Sequence, residues 1–464
     1  MEINFNKNTQ LSDFKSVYFI GIGGIGMSAL ARYFKALHFS VGGYDKTPSP
    51  LTEKLIQEGC TIHFEDLGVD LPSDFLDKQQ TLIVYTPAIP SSFGELNFVQ
   101  KEGFTILKRS EVLGLITQSM KGLCVAGTHG KTTTSTLLAH ILHSTDWECS
   151  AFLGGISTNF NSNLLISKTS EYAVIEADEF DRSFLRLSPF ASIITSADPD
   201  HLDIYGTAEK FQEGFQLYVN QIHPKGFLIL KEGLQLKSDA KTVTYAVNSE
   251  TADFKAQNLR ITADKFLMDV GFHNEQWDDV ELGVPGIHNA ENALGCIALL
   301  VQLGMTEKEI RHGLSTFRGV KRRFEYIIRE KNLVYIDDYA HHPKEIKALI
   351  DSVRLMYPTK KITGIFQPHL FSRTADFMDA FAEELSRLDE IVLMPIYPAR
   401  EQPMPGITST ALLEKVNNSH KKLVEPQHML EEIAQSKIEV LLTIGAGDID
   451  RLVSHLKTQL NPHK

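Results

Sequence analysis

From residue 16 onward, short apolar runs alternate with longer stretches whose apolar positions recur every three or four residues. "SVYFIG" leads into "MSALARYFKALH", and "SVGGYD", "LTEKLIQEG" and "TLIVYTPAIP" follow. β-rich runs alternating with helical ones predict a parallel sheet flanked by helices. A second cycle opens at "GLCVAG" and continues through "EYAVIEADE" and "ASIITSADPDH". Between residues 226 and 285 the pattern changes. "GFLILKEG", "KTVTYAV", "ADFKAQNLRIT", "KFLMDVGF" and "DDVELGV" are strands joined by tight turns, which predicts an antiparallel patch. "GIHNAENALGCIALLVQLGM" returns to a helix. A third α/β cycle then places strand ends at "LVYIDDYAHHP", "KITGIFQPH", "EIVLMPIYPA" and "EVLLTIGAGD". The 464 residues have room for three domains of about 150 residues each. The expectation is an α/β chain of three consecutive domains, 1–118, 119–318 and 319–464.

Charge and composition narrow the partners. With 46 basic against 58 acidic residues the net charge is −12, which argues against a nucleic-acid or anionic-membrane surface. No uncharged apolar stretch approaches the ~20 residues of a bilayer span; "CIALLVQLGM" reaches about half of that. The opening "MEINFNKNTQ" lacks the charged start and apolar run of a signal peptide. Cys60, Cys124, Cys149 and Cys296 form no C-x-x-C pair and suggest neither a disulfide framework nor a zinc knuckle. A cytoplasmic protein, monomer or homodimer, with no membrane insertion is expected.

Two glycine loops carry the candidate chemistry. In "CVAGTHGKTTTSTLLAHIL", Gly127, Thr128, His129, Gly130, Lys131, Thr132 and Thr133 join an apolar strand to a helix. Gly127 stands three residues before Gly130, so the loop is shorter than the usual G-x-x-x-x-G-K-[ST]. Unpaired N–H groups at such a helix start favour an anion, Lys131 can reach phosphates, and the Thr132 hydroxyl can bind Mg²⁺. Glu176, Asp178, Asp200 and His201 follow apolar strands, and acids at neighbouring strand ends would converge on the loop as metal ligands or act simply as helix caps. The other loop, "VYFIGIGGIGMSALARYF", carries Gly21-x-Gly23-x-x-Gly26, with Asp45 nineteen residues beyond the third glycine. That is a dinucleotide fingerprint of a Rossmann-like domain. Taken alone it would suggest an NAD-dependent oxidoreductase, but that reading leaves "GTHGKTTT" idle.

The ordered set "GIGGIGMSALA", "GTHGKTTT", "EADEFDRSFL", "DPDHLD", "HNAENAL", "GVKRRFE", "DDYAHHP", "QPHLFSRT" and "GAGDI" resembles the Mur ligase family along nearly the whole chain. The resemblance implies an N-terminal Rossmann-like domain, a central P-loop ATPase-like domain and a C-terminal Rossmann-like domain. It implies an ATP- and Mg²⁺-dependent ligase of peptidoglycan precursor synthesis, nearest to the branch that joins L-alanine to UDP-N-acetylmuramate. A sister branch that adds a preformed tripeptide is the alternative. By the same resemblance, Gly21, Gly23, Gly24, Ile25, Gly26, Asp45, His63 and Thr86 would face the UDP-sugar. Gly127 to Thr133 would wrap the ATP phosphates, and Thr132, Glu176 and His201 would bind Mg²⁺. Asn289 and Asn292 would lie by the adenine, with Arg323 and Asp338 on the phosphate and ribose sides. Tyr339, His341, His369 and Arg373 would surround the amino acid, with His341 a candidate base beside the catalytic Lys131, Glu176 and His201. Ser196 and Leu370 stand where many relatives carry Asn and a second Arg.

Overall fold

The structure, a computed structural model, describes residues 11–461 except 87, 200, 201, 263, 264 and 400. Its strands form three sheets. In the first, β1 (Ser16–Ile20), β2 (Ser40–Tyr44), β3 (Thr61–His63), β4 (Thr81–Tyr85) and β5 (Thr105–Lys108) are all parallel, in the order β3-β2-β1-β4-β5. Every residue of β1 is buried, and past Ser16 the run Val17–Ile20 is apolar, as a strand covered on both faces requires. The strand order reverses beside β1, and the glycine loop that follows β1 opens at that switch point, where open α/β sheets bind ligands.

The second sheet contains β6 (Lys121–Ala126), β7 (Ser150–Ser157), β8 (Ser162–Leu165), β9 (Tyr172–Ala177), β10 (Pro189–Ile194), β11 (Phe227–Lys231), β12 (Lys241–Val247), β13 (Phe254–Thr262), β14 (Lys265–Phe272) and β15 (Glu275–Leu282). Their order is β15-β14-β13-β12-β11-β10-β6-β9-β7-β8, so β6 lies between β9 and β10, both parallel to it. The third sheet has β16 (Glu325–Arg329), β17 (Val334–Asp338), β18 (Ile362–Phe366), β19 (Glu390–Leu393), β20 (Lys421–Leu423) and β21 (Val440–Ile444). Its order is β16-β17-β21-β18-β19-β20, parallel apart from the β16–β17 edge pair.

The 226–285 region departs from expectation in part. β11, β12 and β13 pair in parallel, continuing the direction of β10. The antiparallel reading holds only for β13 to β15, whose two-residue connections are too short for a parallel crossover.

Two compact units result. One holds the described residues of Met1–Gln257 with Asp269–Val280 and Glu291–Phe317; the other holds Asn258–Met268, Glu281–Ala290 and Arg318–Lys464. The first two sheets share a unit because the helix Ile25–Ala36 packs on the second sheet: the Tyr33 and Phe152 rings meet at 5.2 Å, and both sides contribute to one apolar core. Buried Asn163 on β8 ties the same helix down, accepting from Arg32 Nη1 at 2.7 Å and donating to the Ile25 carbonyl at 2.6 Å. All four cysteines are free and buried.

Candidate active site

At the end of β6 the chain turns through Gly127 (φ 140°) and Gly130 (φ 81°) before the helix Lys131–His143. Both angles lie where a side chain is strained, and a Cβ on Gly127 would also run into Thr195 and the Ser196 backbone. The segment after β10 holds the loop in shape. Thr195 Oγ1 donates to the His129 carbonyl at 2.5 Å, the His129 amide donates to Ser196 Oγ at 2.8 Å, and Thr128 Oγ1 donates to the Asp198 carbonyl at 2.7 Å. Ser196 thus has a structural task of its own. Asn292 lies against the same loop, its Oδ1 2.8 Å from where a Cβ on Gly130 would stand.

Two hard oxygen donors meet at the helix start: Thr132 Oγ1 donates to Glu176 Oε1 at 3.2 Å. The Gly154 amide donates to the other Glu176 oxygen at 3.2 Å, so the carboxylate is aimed from both sides. A hydroxyl and a carboxylate suit Mg²⁺, which usually takes one or two protein ligands and fills its octahedron with water and phosphate oxygens. His201, the third expected ligand, lies outside the described residues. Among the described residues, no group of three or more His, Cys, Asp or Glu side chains gathers as a metal cage.

Lys131 is largely buried and ion-paired. Its side chain is 13% exposed, and Nζ donates to the Gly127 carbonyl at 2.6 Å and to both oxygens of Glu179 at 2.7 and 2.9 Å. Burial pulls the ammonium pKa down, but the charges of Glu179, Asp178 and Glu176 outweigh it and hold the group above its ordinary value. Glu179 was not singled out in the sequence, although it sits inside "EADEFD".

The first glycine loop opens toward the same carboxylates. Gly24 starts the helix Ile25–Ala36 without a side-chain cap, leaving amides of its first turn for an anion. Ile25, Gly26, Gly154, Glu176 and Asp178 line one cavity of about 110 Å³ together with Arg109. Arg109 Nη2 donates to Asp178 Oδ2 at 3.4 Å, and it is a second residue that sequence reading missed. Asp45 accepts from the Gly23 amide at 2.7 Å, so it braces the loop; Thr86 packs against Gly21. His63 is tied into a buried network. Its Nε2 lies 2.6 Å from Tyr18 Oη, Tyr18 donates to Glu95 at 2.7 Å, and Nδ1 lies 2.8 Å from the Glu65 carbonyl.

The other unit holds the remaining expected residues. Asn289 donates to the Pro285 carbonyl at 2.7 Å, bracing the turn before the helix Ile287–Leu303. Asp338, at the end of β17, accepts from the Phe324 and Ala340 amides, and burial raises its carboxyl to about 6 against the pull of Arg323. The Arg323 guanidinium lies 5.2 Å from the Tyr339 ring centre. Tyr339, His341, His369 and Arg373 gather there: the Tyr339–His341 and His341–His369 ring centres are 5.3 and 6.2 Å apart, and Arg373 Nη1 is 3.3 Å from His369 Nδ1. Burial, Arg373 and His341 lower the His369 pKa to about 4. Leu370 adopts φ 72°, a left-handed strain for a branched side chain that the Leu370 amide to Tyr397 carbonyl bond helps to hold.

Comparison with known proteins identifies the family. The model of the Mur ligase family catalytic domain matches residues 16–121, the Mur ligase middle domain residues 125–300, and the Mur ligase glutamate ligase domain residues 322–449. The chain is 50% identical over 452 residues to a UDP-N-acetylmuramate–L-alanine ligase of Phocaeicola vulgatus, covering 96% of this chain and 98% of that protein. The enzyme of the same name from Porphyromonas gingivalis is 51% identical over 451 residues, covering 96% and 99%. The crystal structure of UDP-N-acetylmuramate–alanine ligase from Thermotoga maritima superposes with a TM-score of 0.83 at 28% identity, over 97% of this chain and 100% of that one. A murein peptide ligase from Psychrobacter arcticus, at 24% identity and a TM-score of 0.70 over 96% and 98% of the two chains, shares the fold. The chain belongs to the Mur ligase family.

Proposed function

We propose that this protein is an ATP-dependent ligase that joins L-alanine to the carboxylate of UDP-N-acetylmuramate in cytoplasmic peptidoglycan precursor synthesis. The observation that carries the reading is the shared cavity. It brings the first glycine loop, suited to a sugar diphosphate, to the carboxylate that faces Thr132 of the phosphate loop. The relatives' names supply the choice of L-alanine. Among the described residues no helix is long and apolar enough to cross a membrane.

A carboxylate acylates poorly, so the reaction takes two steps. A sugar carboxylate oxygen attacks the γ-phosphorus of ATP and the bond to ADP breaks, leaving an acyl phosphate. The amine of L-alanine then attacks the acyl carbon, and the carbon–oxygen bond to phosphate breaks. Lys131 and the loop amides are suited to the negative charge that would develop on the transferring oxygens. Thr132 and Glu176 would hold Mg²⁺, which neutralises phosphate charge when bound.

His341 is suited to take the proton from the amine. Its Nδ1 lies 3.0 Å from the Tyr339 carbonyl, which places the hydrogen on Nδ1 and the lone pair on Nε2. Burial lowers its pKa, against the pull of Glu345, so the ring is neutral at neutral pH. The test is phosphate release from ATP with UDP-N-acetylmuramate and each amine in turn. L-alanine should drive it; dependence on a tripeptide instead, or NADH oxidation without phosphate release, would overturn the reading.

A further inference from the structure

Four acids fall within six residues at the end of β9, Glu176 to Asp181, and the mechanism above uses only Glu176. Glu179 stands apart from the others. It is 2% exposed, and its carboxylate meets the Lys131 ammonium with both oxygens. Its own backbone is pinned, with the carbonyl accepting from Tyr205 Oη at 2.8 Å. Two non-glycine residues in left-handed conformation follow it, Asp181 (φ 52°) and Arg182 (φ 54°), and Lys108 holds Asp181 at 2.8 Å. The carboxylate therefore has little freedom to follow a moving lysine.

An ammonium has three protons, and here all are engaged: two by Glu179 and one by the Gly127 carbonyl, with the Thr128 carbonyl beside it at 3.5 Å. To meet a phosphate, Lys131 must release a partner. Releasing Glu179 would strand a buried carboxylate, whereas releasing Gly127 frees a neutral carbonyl, a far smaller penalty. We propose that Glu179 is a positioning residue for the phosphoryl-transfer step, keeping its bond to Lys131 while the ammonium turns its Gly127-directed proton to the transferring phosphate. On this account Glu179 fixes where the lysine charge stands, and the nucleotide comes to it. The inference rests on the ATP-site reading above.

The test compares the full-length wild type with E179Q, K131M and the double variant, by steady-state kinetics with each substrate varied and by thermal unfolding. Glutamine keeps the shape and loses the charge that locks the ammonium. kcat of E179Q should fall about 10- to 100-fold, the scale of a misplacement near one ångström. KM for UDP-N-acetylmuramate and L-alanine should stay within about twofold, since on this reading neither touches Glu179. In the K131M background E179Q should cost no further activity, because its effect runs through the lysine. The double variant should melt above K131M, because it no longer buries an unpaired carboxylate. Wild-type kcat in folded E179Q, or losses that multiply in the double variant, would overturn the proposal. If E179Q alone fails to fold, a double variant that melts no higher than K131M does so as well. A wild type that does not ligate at all would instead sink the functional reading on which this inference stands.

Discussion

Asn163→Ala should damage the protein out of proportion to the size of the side chain. Asn163 is fully buried on β8, and its amide makes three bonds across to the glycine-loop helix: from Arg32 Nη1 at 2.7 Å, to the Ile25 carbonyl at 2.6 Å and to Ser28 Oγ at 3.1 Å. Arg32 is 9% exposed, and its Nη2 already lacks a partner, so the substitution leaves Glu58 to satisfy the guanidinium alone. A lost bond to a charged group contributes about 1.5–3 kcal/mol and two neutral bonds about 1 kcal/mol each, which sums to roughly 3–5 kcal/mol. For a unit of this size that lowers Tm by roughly 6–15 °C. Urea unfolding should show a lower midpoint at unchanged slope. Because Ile25 opens the loop helix, KM for UDP-N-acetylmuramate should rise while KM for ATP holds. Replacing Arg32 by Met in the same chain should recover part of the loss, since two apolar groups leave no orphaned charge. A loss below about 1 kcal/mol would refute the argument, because even one broken bond to a charged group exceeds it.

Arg109→Gln should raise KM for UDP-N-acetylmuramate about tenfold, the effect of one charge-assisted bond, and leave KM for ATP unchanged; equal KM values would remove Arg109 from the sugar side of the cavity. Gly154→Ala would push a Cβ into the Glu176 carboxylate, so the Mg²⁺ dependence of turnover should move to higher concentration; superposable titrations would place the metal elsewhere. Arg373→Ala should raise KM for L-alanine about ten- to a hundredfold through its lost carboxylate contact, and L-alaninamide should be a poor substrate for both forms. His341, with its pKa lowered, stays an unprotonated base as pH falls through the ordinary histidine value of 6.5 and is lost only below it. The acid limb of the kcat profile should therefore have its midpoint below 6.5 and change shape in His341→Gln; a midpoint above 6.5 would refute the assignment.

What could be read from the sequence follows how local its cause is. The proposed phosphate loop can be read because its residues run consecutively between one strand and one helix. β1, β6 and β21 show as runs that are apolar but for Ser16, Lys121 and Thr443, because strands buried on both faces admit little else. β11 and β12 mislead because residues 232–240 between them resemble a hairpin connection, whereas the strand direction comes from β11 pairing with β10, far back in the chain. Lys131 is legible only in part. Its pattern says phosphate, but its burial and ion pair depend on Glu179, 48 residues away. Arg109 meets Asp178 across 69 residues, and no local period reports such a meeting.

The end of β9 and the residues after it show what that long-range placement accomplishes. Within six residues Glu176 aims at Thr132, Asp178 at Arg109, Glu179 at Lys131 and Asp181 at Lys108. Two of these partners start the helix that follows the phosphate loop. The other two, Lys108 and Arg109, stand where β5 of the first sheet passes into the helix Arg109–Ser119. A displacement of this segment must move both sets of partners together, because each carboxylate would otherwise lose its partner at a cost that rises with burial. Lys131–Glu179, the most buried of these ion pairs, should be the last to yield, while Arg109–Asp178, at 3.4 Å and partly exposed, is the most readily exchanged for a ligand anion. On the proposed reading, the UDP-sugar would then compete for Arg109 without disturbing the lysine that serves ATP. On that reading the two substrates would be coupled through one rigid strand end, each still addressing its own cation.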